Sequence, residues 1–330
     1  MRKVNIGTIQ PAEIAVPTGL RWGQPGYRPD IKSIMQNCIL PQAEVTFKLL
    51  EEAGEAGCDI VTTCEDLSIA SAYVTDTTAD NVFPEIVEQS LPIIEDTVAG
   101  IAKRHNMNIV ACYYKPHDGK IYNTASVFDR KGNIVGDYKK THIPSFELFQ
   151  VAEGNEIKTI DLDIGRIGVM ICYDMMFPAL GEALSLQGAE IVFHPTFGYG
   201  WNESIGEATL RTRANDGSYY LVTSKSYSYN SPGKSSIIDH WGHVLADAAY
   251  EANIVVTRQI DLDNIKAQPE NFVLSAITGH ANMRTRNICE RRPDLYGVIT
   301  EKNAMTFDFL TPGKEQDEYR EKLLKGIVHW

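Results

Sequence analysis

Apolar residues along the chain change spacing repeatedly, between the alternation of strands and the three-to-four-residue rhythm of helices. Residues 3–10 (KVNIGTIQ) read as a first strand, and after a Pro/Gly-rich loop at 17–30 the apolar positions of 41–56 fall at helical spacing. A strand at 58–67 follows, then a helix over 85–105 entered or kinked at Pro92, then a strand at 107–115. Residues 122–140 read as a hairpin with Gly132-Asn133 in its turn, and 159–172 as a second hairpin turning at 163–166. Beyond it the pattern predicts a helix at 178–188, a strand at 189–195, a helix at 203–217 and a strand at 218–226. A third hairpin at 234–247, turning near Trp241-Gly242, and a strand at 252–261 complete the series.

Two strand–helix–strand halves, each interrupted by hairpins, predict an α/β fold in which helices cover mixed sheets. No linker or low-complexity stretch divides them, so residues 1–265 are expected to form one domain. Residues 266–330 are irregular and in places charged, and are expected to pack as an extension on that domain or on a partner subunit. Leu323, Leu324, Ile327 and Val328 give this extension an apolar stripe.

Composition narrows the classes. A chain of 330 residues, 43% hydrophobic, can bury a large core. A net charge of −12 argues against a nucleic-acid backbone as ligand. No apolar run approaches the roughly 18 residues of a membrane span. The opening MRKVNIGTIQPAE turns polar too early for a signal peptide, so a cytoplasmic protein is expected. The cysteines at 38, 58, 64, 112, 172 and 289 include no CxxC pair. They read as free thiols in a reducing compartment, neither a disulfide framework nor a zinc site, and no metal or organic cofactor is expected.

Candidate chemistry gathers at strand ends. Cys172 closes the buried run GRIGVMIC, just ahead of the helical pattern from Pro178. A free cysteine is most often a small buried hydrophobe. A strand's carboxyl end before a helix is nevertheless where α/β sheets place ligand sites, and the layout resembles a nucleophile elbow. A helix N-terminus there would lower the thiol pKa. His142 and His194 are candidate bases at strand ends, while Glu65 follows the run DIVTTC and Lys140 follows NIVGDYK. An ionisable group closing an apolar strand is costly unless it is paired or exposed in a site.

These segments, TTCEDL, YKKTHIP and GVMICYDMMFP, together with GAEIVFHPT, LRTRAND and RRPDLYG, resemble the nitrilase superfamily of carbon–nitrogen hydrolases through most of residues 3–300. The resemblance implies a four-layer α-β-β-α sandwich of two mixed β-sheets with about six strands each. It also implies a catalytic triad of Glu65, Lys140 and Cys172, with Glu147 of ELFQVAEG as a second acid and the Tyr173 N–H in an oxyanion hole. Departures occur at Cys64, where Pro is frequent, at Met175-Met176, where polar residues are frequent, and at Asp216-Gly217, where Glu-Asn is usual.

The implied reaction is hydrolysis of a small amide through a cysteine thioester, in a homodimer whose contacts include helix 178–188. The CYD of Cys172–Asp174, in place of the CWE of true nitrilases, argues for amides over nitriles, and an N-carbamoyl amino acid amidohydrolase is the first alternative. Phe197, Tyr199 and Trp201 are expected near the pocket, and Arg211 and Arg213 could grip a carboxylate. Apolar, adaptable Met175 and Met176 in the pocket wall would instead favour an uncharged acyl group.

Overall fold

Strands buried on both faces need cover on both sides, and the apolar runs of this chain obtain it by stacking two sheets between two helical layers. The computed structural model describes residues 1–20, 26–74, 81–144, 147, 148, 150–198, 203–228, 233–265 and 283–301. The first sheet has the order β12-β1-β2-β3-β4-β5, formed by Ile254–Asp261, Lys3–Gln10, Ile60–Thr62, Asn108–His117, Lys120–Phe128 and Ile134–Lys139. The second has the order β11-β10-β9-β8-β7-β6, formed by Val244–Asp247, Ser236–Ile238, Tyr220–Lys225, Ile191–Thr196, Gly165–Val169 and Ile160–Leu162. Both are mixed: β1–β2–β3 and β7–β8–β9 pair in parallel, and the flanking strands pair antiparallel.

Between the sheets, Ile6, Val110, Val127 and Tyr138 meet Ile167, Ile171, Phe193 and Val222. The outer face of the first sheet is covered by α2 (Leu40–Glu55) and α3 (Phe83–His105), through Leu50, Val98 and Ile101. The outer face of the second is covered by α4 (Pro178–Leu186) and α5 (Glu203–Gly217), through Leu180, Leu184 and Ala214. This is the expected four-layer sandwich of two mixed sheets.

Local departures have local causes. A short helix, α1 (Ile31–Ile34), capped by Asp30, runs through a π-turn at Met35–Ile39 into α2, ahead of the start expected for that helix. Helix α3 begins at Phe83, with Pro84 in its first turn, and continues past Pro92. Pro92 and Glu88 are both exposed, so water can bond the carbonyl that Pro leaves without a donor. β3 and β4 form a long hairpin at Asp118-Gly119, whose φ angles of 49° and 71° suit a tight two-residue turn. β2 is only Ile60–Thr62, because the chain bends beyond it, with Asp66 accepting from the Ala70 and Ser71 N–H groups. Residues 266–282 and 302–330, most of the expected extension and all of its apolar stripe, lie outside the described residues.

Candidate active site

Strands β2, β5, β7 and β8 end on one rim, and the segments leaving them converge there. Lys140 follows β5 directly and is fully buried. Its Nζ donates to Glu65 Oε1 at 2.8 Å and to Glu147 Oε1 and Oε2 at 3.1 and 3.2 Å. Its backbone is pinned on both sides, donating to the Asn123 carbonyl at 2.8 Å and accepting from the Gly154 N–H at 2.7 Å. Only glycine fits at 154, since a Cβ there would collide with the Lys139 carbonyl.

Glu65 is 3% exposed and fully partnered. Oε1 also accepts from Asn123 Nδ2 at 2.8 Å, and Oε2 accepts from the Phe197 N–H at 2.9 Å. The Cys172 thiol is a further hydrogen-bonding neighbour of this carboxyl. Burial opposes ionisation of Glu65, but the Lys140 charge and the donors around it hold its pKa below the ordinary value. Glu147 shares the same single cation and is pushed the other way: burial and the Glu65 charge raise it to about 7, against the pull of Lys140. Two carboxyls with pKa values driven apart are the arrangement from which acid and base roles are built.

Cys172 sits at the junction between β7 and a five-residue 3-10 turn, Cys172–Met176, with φ of 46°. A non-glycine residue in the left-handed region is strained, and here neighbours hold it. Buried His194 bonds the Cys172 carbonyl through Nε2 at 3.1 Å and Thr223 Oγ1 through Nδ1 at 3.1 Å. A carbonyl can only accept, so Nε2 carries the proton. Burial lowers the His194 pKa to about 4, which leaves the ring neutral and a support for the turn, not a base.

The expected lowering of the thiol pKa by a helix N-terminus is not found. Helix α4 starts only at Pro178, and burial together with the Glu65 charge pushes the thiol up to about 12, against opposition from Lys140 and Thr196. The resting sulfur is therefore protonated beside an ionised carboxylate.

Asp174, which motif reading left without a role, ties the Cys172 turn to the lysine loop. It is fully buried and accepts from the Ile171 and His142 N–H groups at 2.9 Å, Tyr138 Oη at 2.8 Å and Thr141 Oγ1 at 3.0 Å. His142 also bonds it through Nδ1 at 2.9 Å and stacks on Phe177 with ring centroids 3.8 Å apart. His142 thus braces the turn, and Asp174 engages it. Asp174→Asn turns an acceptor-only group into one that is half donor; the expected loss is about 1.5–3 kcal/mol of stability. Turnover should fall with it, since Lys140 and Cys172 lose their common anchor. Unchanged thermal denaturation and kcat would remove Asp174 from this role.

The remaining expected residues separate. Tyr173 flanks Cys172 and is 41% exposed. Phe197 is half-buried against the cluster containing Ile143 and Val151, and what it gives the site is its backbone N–H. Met175 is a correction: it is fully buried among Met170, Leu180 and Leu184, in the helix–sheet layer and not in a pocket wall. Met176 is 51% exposed. The 3-10 turn sends the two side chains to opposite environments, which removes the argument for an uncharged acyl group.

Arg211 and Arg213 are also corrected. Arg211 Nε donates to the Gly242 carbonyl at 2.7 Å, and Arg213 Nε to the Met175 carbonyl at 3.3 Å, so both hold backbone. Tyr199 and Trp201 lie outside the described residues. A cavity runs under the start of α5, lined among others by His194, Thr196, Glu207, Leu210, Lys225 and Lys234, and Cys172, Glu65, Lys140 and Glu147 are not in its lining. Among the described residues no group of three His, Cys, Asp or Glu could hold a metal ion, and no helix is long and apolar enough to cross a membrane.

A carboxylate–lysine–carboxylate cluster beside a cysteine on a strained strand end, at the common rim of two stacked mixed sheets, is the setting of a carbon–nitrogen hydrolase. Residues 42–270 match the Carbon-nitrogen hydrolase family, and the chain belongs to it. Omega-amidase NIT2 from Xenopus tropicalis is 28% identical over 272 residues, covering 78% of this chain and 91% of that protein. Deaminated glutathione amidase from Dictyostelium discoideum is 36% identical over 179 residues, covering 48% of this chain and 59% of the other. The fold matches the crystal structure of a carbon-nitrogen hydrolase from Helicobacter pylori G27 with a TM-score of 0.71 at 20% identity, over 91% of this chain and 99% of that one.

Proposed function

We propose that this protein hydrolyses a small amide through a cysteine thioester, with Cys172 as nucleophile, Glu65 as general base and acid, and Lys140 as electrostatic partner. The observation that carries the reading is the single buried cluster in which Lys140 bonds Glu65 and Glu147 while the Cys172 thiol borders Glu65. As sulfur attacks the carbonyl carbon, its proton passes to Glu65 and the carbonyl π pair moves onto oxygen. Lys140 Nζ and the Tyr173 N–H would hold that oxyanion. Its collapse breaks the C–N bond, Glu65 returns the proton to nitrogen, and ammonia leaves a thioester. Glu65 then takes a proton from water as it attacks, and the acid departs as the thiol re-forms. Glu147, protonated more readily than Glu65, would orient the amide nitrogen or the incoming water.

The amide reading is supported by the relatives, which are amidases by name. The relative named deaminated glutathione amidase acts by name on a carboxylate-bearing molecule, which favours an acyl group with an anionic far end. A monoamide of a short dicarboxylic acid and an N-carbamoyl amino acid both carry such a group. An ammonia-release panel of a dicarboxylic monoamide, its uncharged analogue, a carbamoyl amino acid and a nitrile tests the reading. The monoamide is expected to give the highest kcat/KM. No ammonia from any substrate would sink the activity, a preferred carbamoyl amino acid would replace the amide, and a preferred nitrile would make the enzyme a nitrilase.

The reading extends to a cytoplasmic homodimer. Exposed Tyr173, Met176 and Leu186 lie on or beside α4, the helix expected at the contact. Light scattering at micromolar concentration should give twice the chain mass; a monomer would discard the dimer.

A further inference from the structure

Thr196 ends β8 with its side chain 4% exposed. Its Oγ1 is buried with no well-aligned hydrogen bond, and it lines the same cavity as His194. A buried hydroxyl left poorly bonded is costly, and the group it does interact with is the Cys172 sulfur, which it already biases toward the thiolate. A neutral thiol is a weak acceptor, and this one has Glu65 as its own acceptor. A thiolate is a strong acceptor. We propose that Thr196 is a catalytic residue whose hydroxyl donates to the Cys172 sulfur in a bond that strengthens once Glu65 has taken the thiol proton. The hydroxyl keeps its own proton throughout, and the bond weakens when sulfur spends its charge on the acyl carbon. An interaction weak at the resting thiol and strong as charge develops accelerates the step that makes the charge.

The inference rests on Cys172 being the nucleophile, and its test reads the thiol without turnover. In the full chain, iodoacetamide labelling across pH, followed peptide by peptide by mass spectrometry, separates Cys172 from exposed Cys289. Glu65 beyond β2, Lys140 and Glu147 beyond β5, and neutral His194 on β8 face or support the sulfur and stay unchanged in every variant. Thr196→Val should slow labelling of Cys172 about tenfold near pH 7 and move its profile about one unit upward, while Thr196→Ser keeps the wild-type profile. Cys289 should label equally in all.

Should the valine disturb packing, Thr196→Ala against Thr196→Ser differ by the same hydroxyl and read the same shift. Wild-type profiles in the variants without the hydroxyl, or a serine as slow as valine, would overturn the proposal. If amide hydrolysis persists in Cys172→Ala, it is the nucleophile assignment that fails instead.

Discussion

Cys172→Ala is expected to abolish ammonia release, a loss on the order of 10⁴-fold or more in kcat, with the fold intact. In the proposed reaction the sulfur supplies the bond that becomes the thioester, and no other cysteine is placed to substitute. Cys38, Cys58, Cys64 and Cys112 are buried, and Cys289 is on α6 (Met283–Cys289), remote in sequence from the cluster. Stability should barely change. The strained φ of 46° is shared by alanine, which also has a Cβ, and the Cys172 carbonyl still receives His194 Nε2. Losing a thiol whose burial and proximity to Glu65 keep it protonated removes no ion pair. Circular dichroism and thermal denaturation should therefore match wild type. Residual turnover above about a thousandth of wild type would assign the chemistry to another group.

Much of this site was legible because its chemistry is concentrated at strand ends. Glu65, Lys140 and Cys172 each close an apolar run, where an ionisable or nucleophilic side chain stands out against its neighbours. What supports them did not stand out. Asp174, Asn123 and His194 work through partners 36, 58 and 22 residues away along the chain, so neither periodicity nor spacing reveals them. A carboxylate two residues after Cys172 was a signal available in CYD. The directions of Met175 and Met176 depended on a 3-10 turn replacing the first turn of a helix, a choice made by Asp174 accepting from the Ile171 N–H. The α3 start at Phe83 and the Asp118-Gly119 hairpin were written in the sequence as Pro84 and Asp-Gly, and propensity reasoning applied there finds both. The sheet order follows from pairings that connect strands far apart in sequence, β1 with β12 above all, and was not legible; the family resemblance implied only a sandwich of two mixed sheets.

Lys140→Met should be the most damaging single change to both fold and activity. The ammonium is fully buried between Glu65 and Glu147, and methionine keeps much of the stem volume while deleting the charge. Two carboxyls then face each other in a dry pocket. Removing one partner of a buried ion pair costs about 3–5 kcal/mol, because the remaining charge is left unpaired. Protonation relieves part of this cost. In the variant both carboxyl pKa values should lie above the ordinary range, since burial persists and the lowering by Lys140 is gone. A carboxyl whose folded pKa is raised favours the fold fully below its unfolded value, and that advantage is lost as pH climbs through the folded one. The deficit of Lys140→Met relative to wild type should therefore be smaller at pH 5 than at pH 8. Activity should not return at low pH, because a protonated Glu65 cannot accept the thiol proton and the oxyanion has lost its cation. Chemical denaturation at the two pH values, with ammonia release at each, decides the matter: a pH-independent deficit would mean that one carboxyl already carries its proton when Lys140 is present.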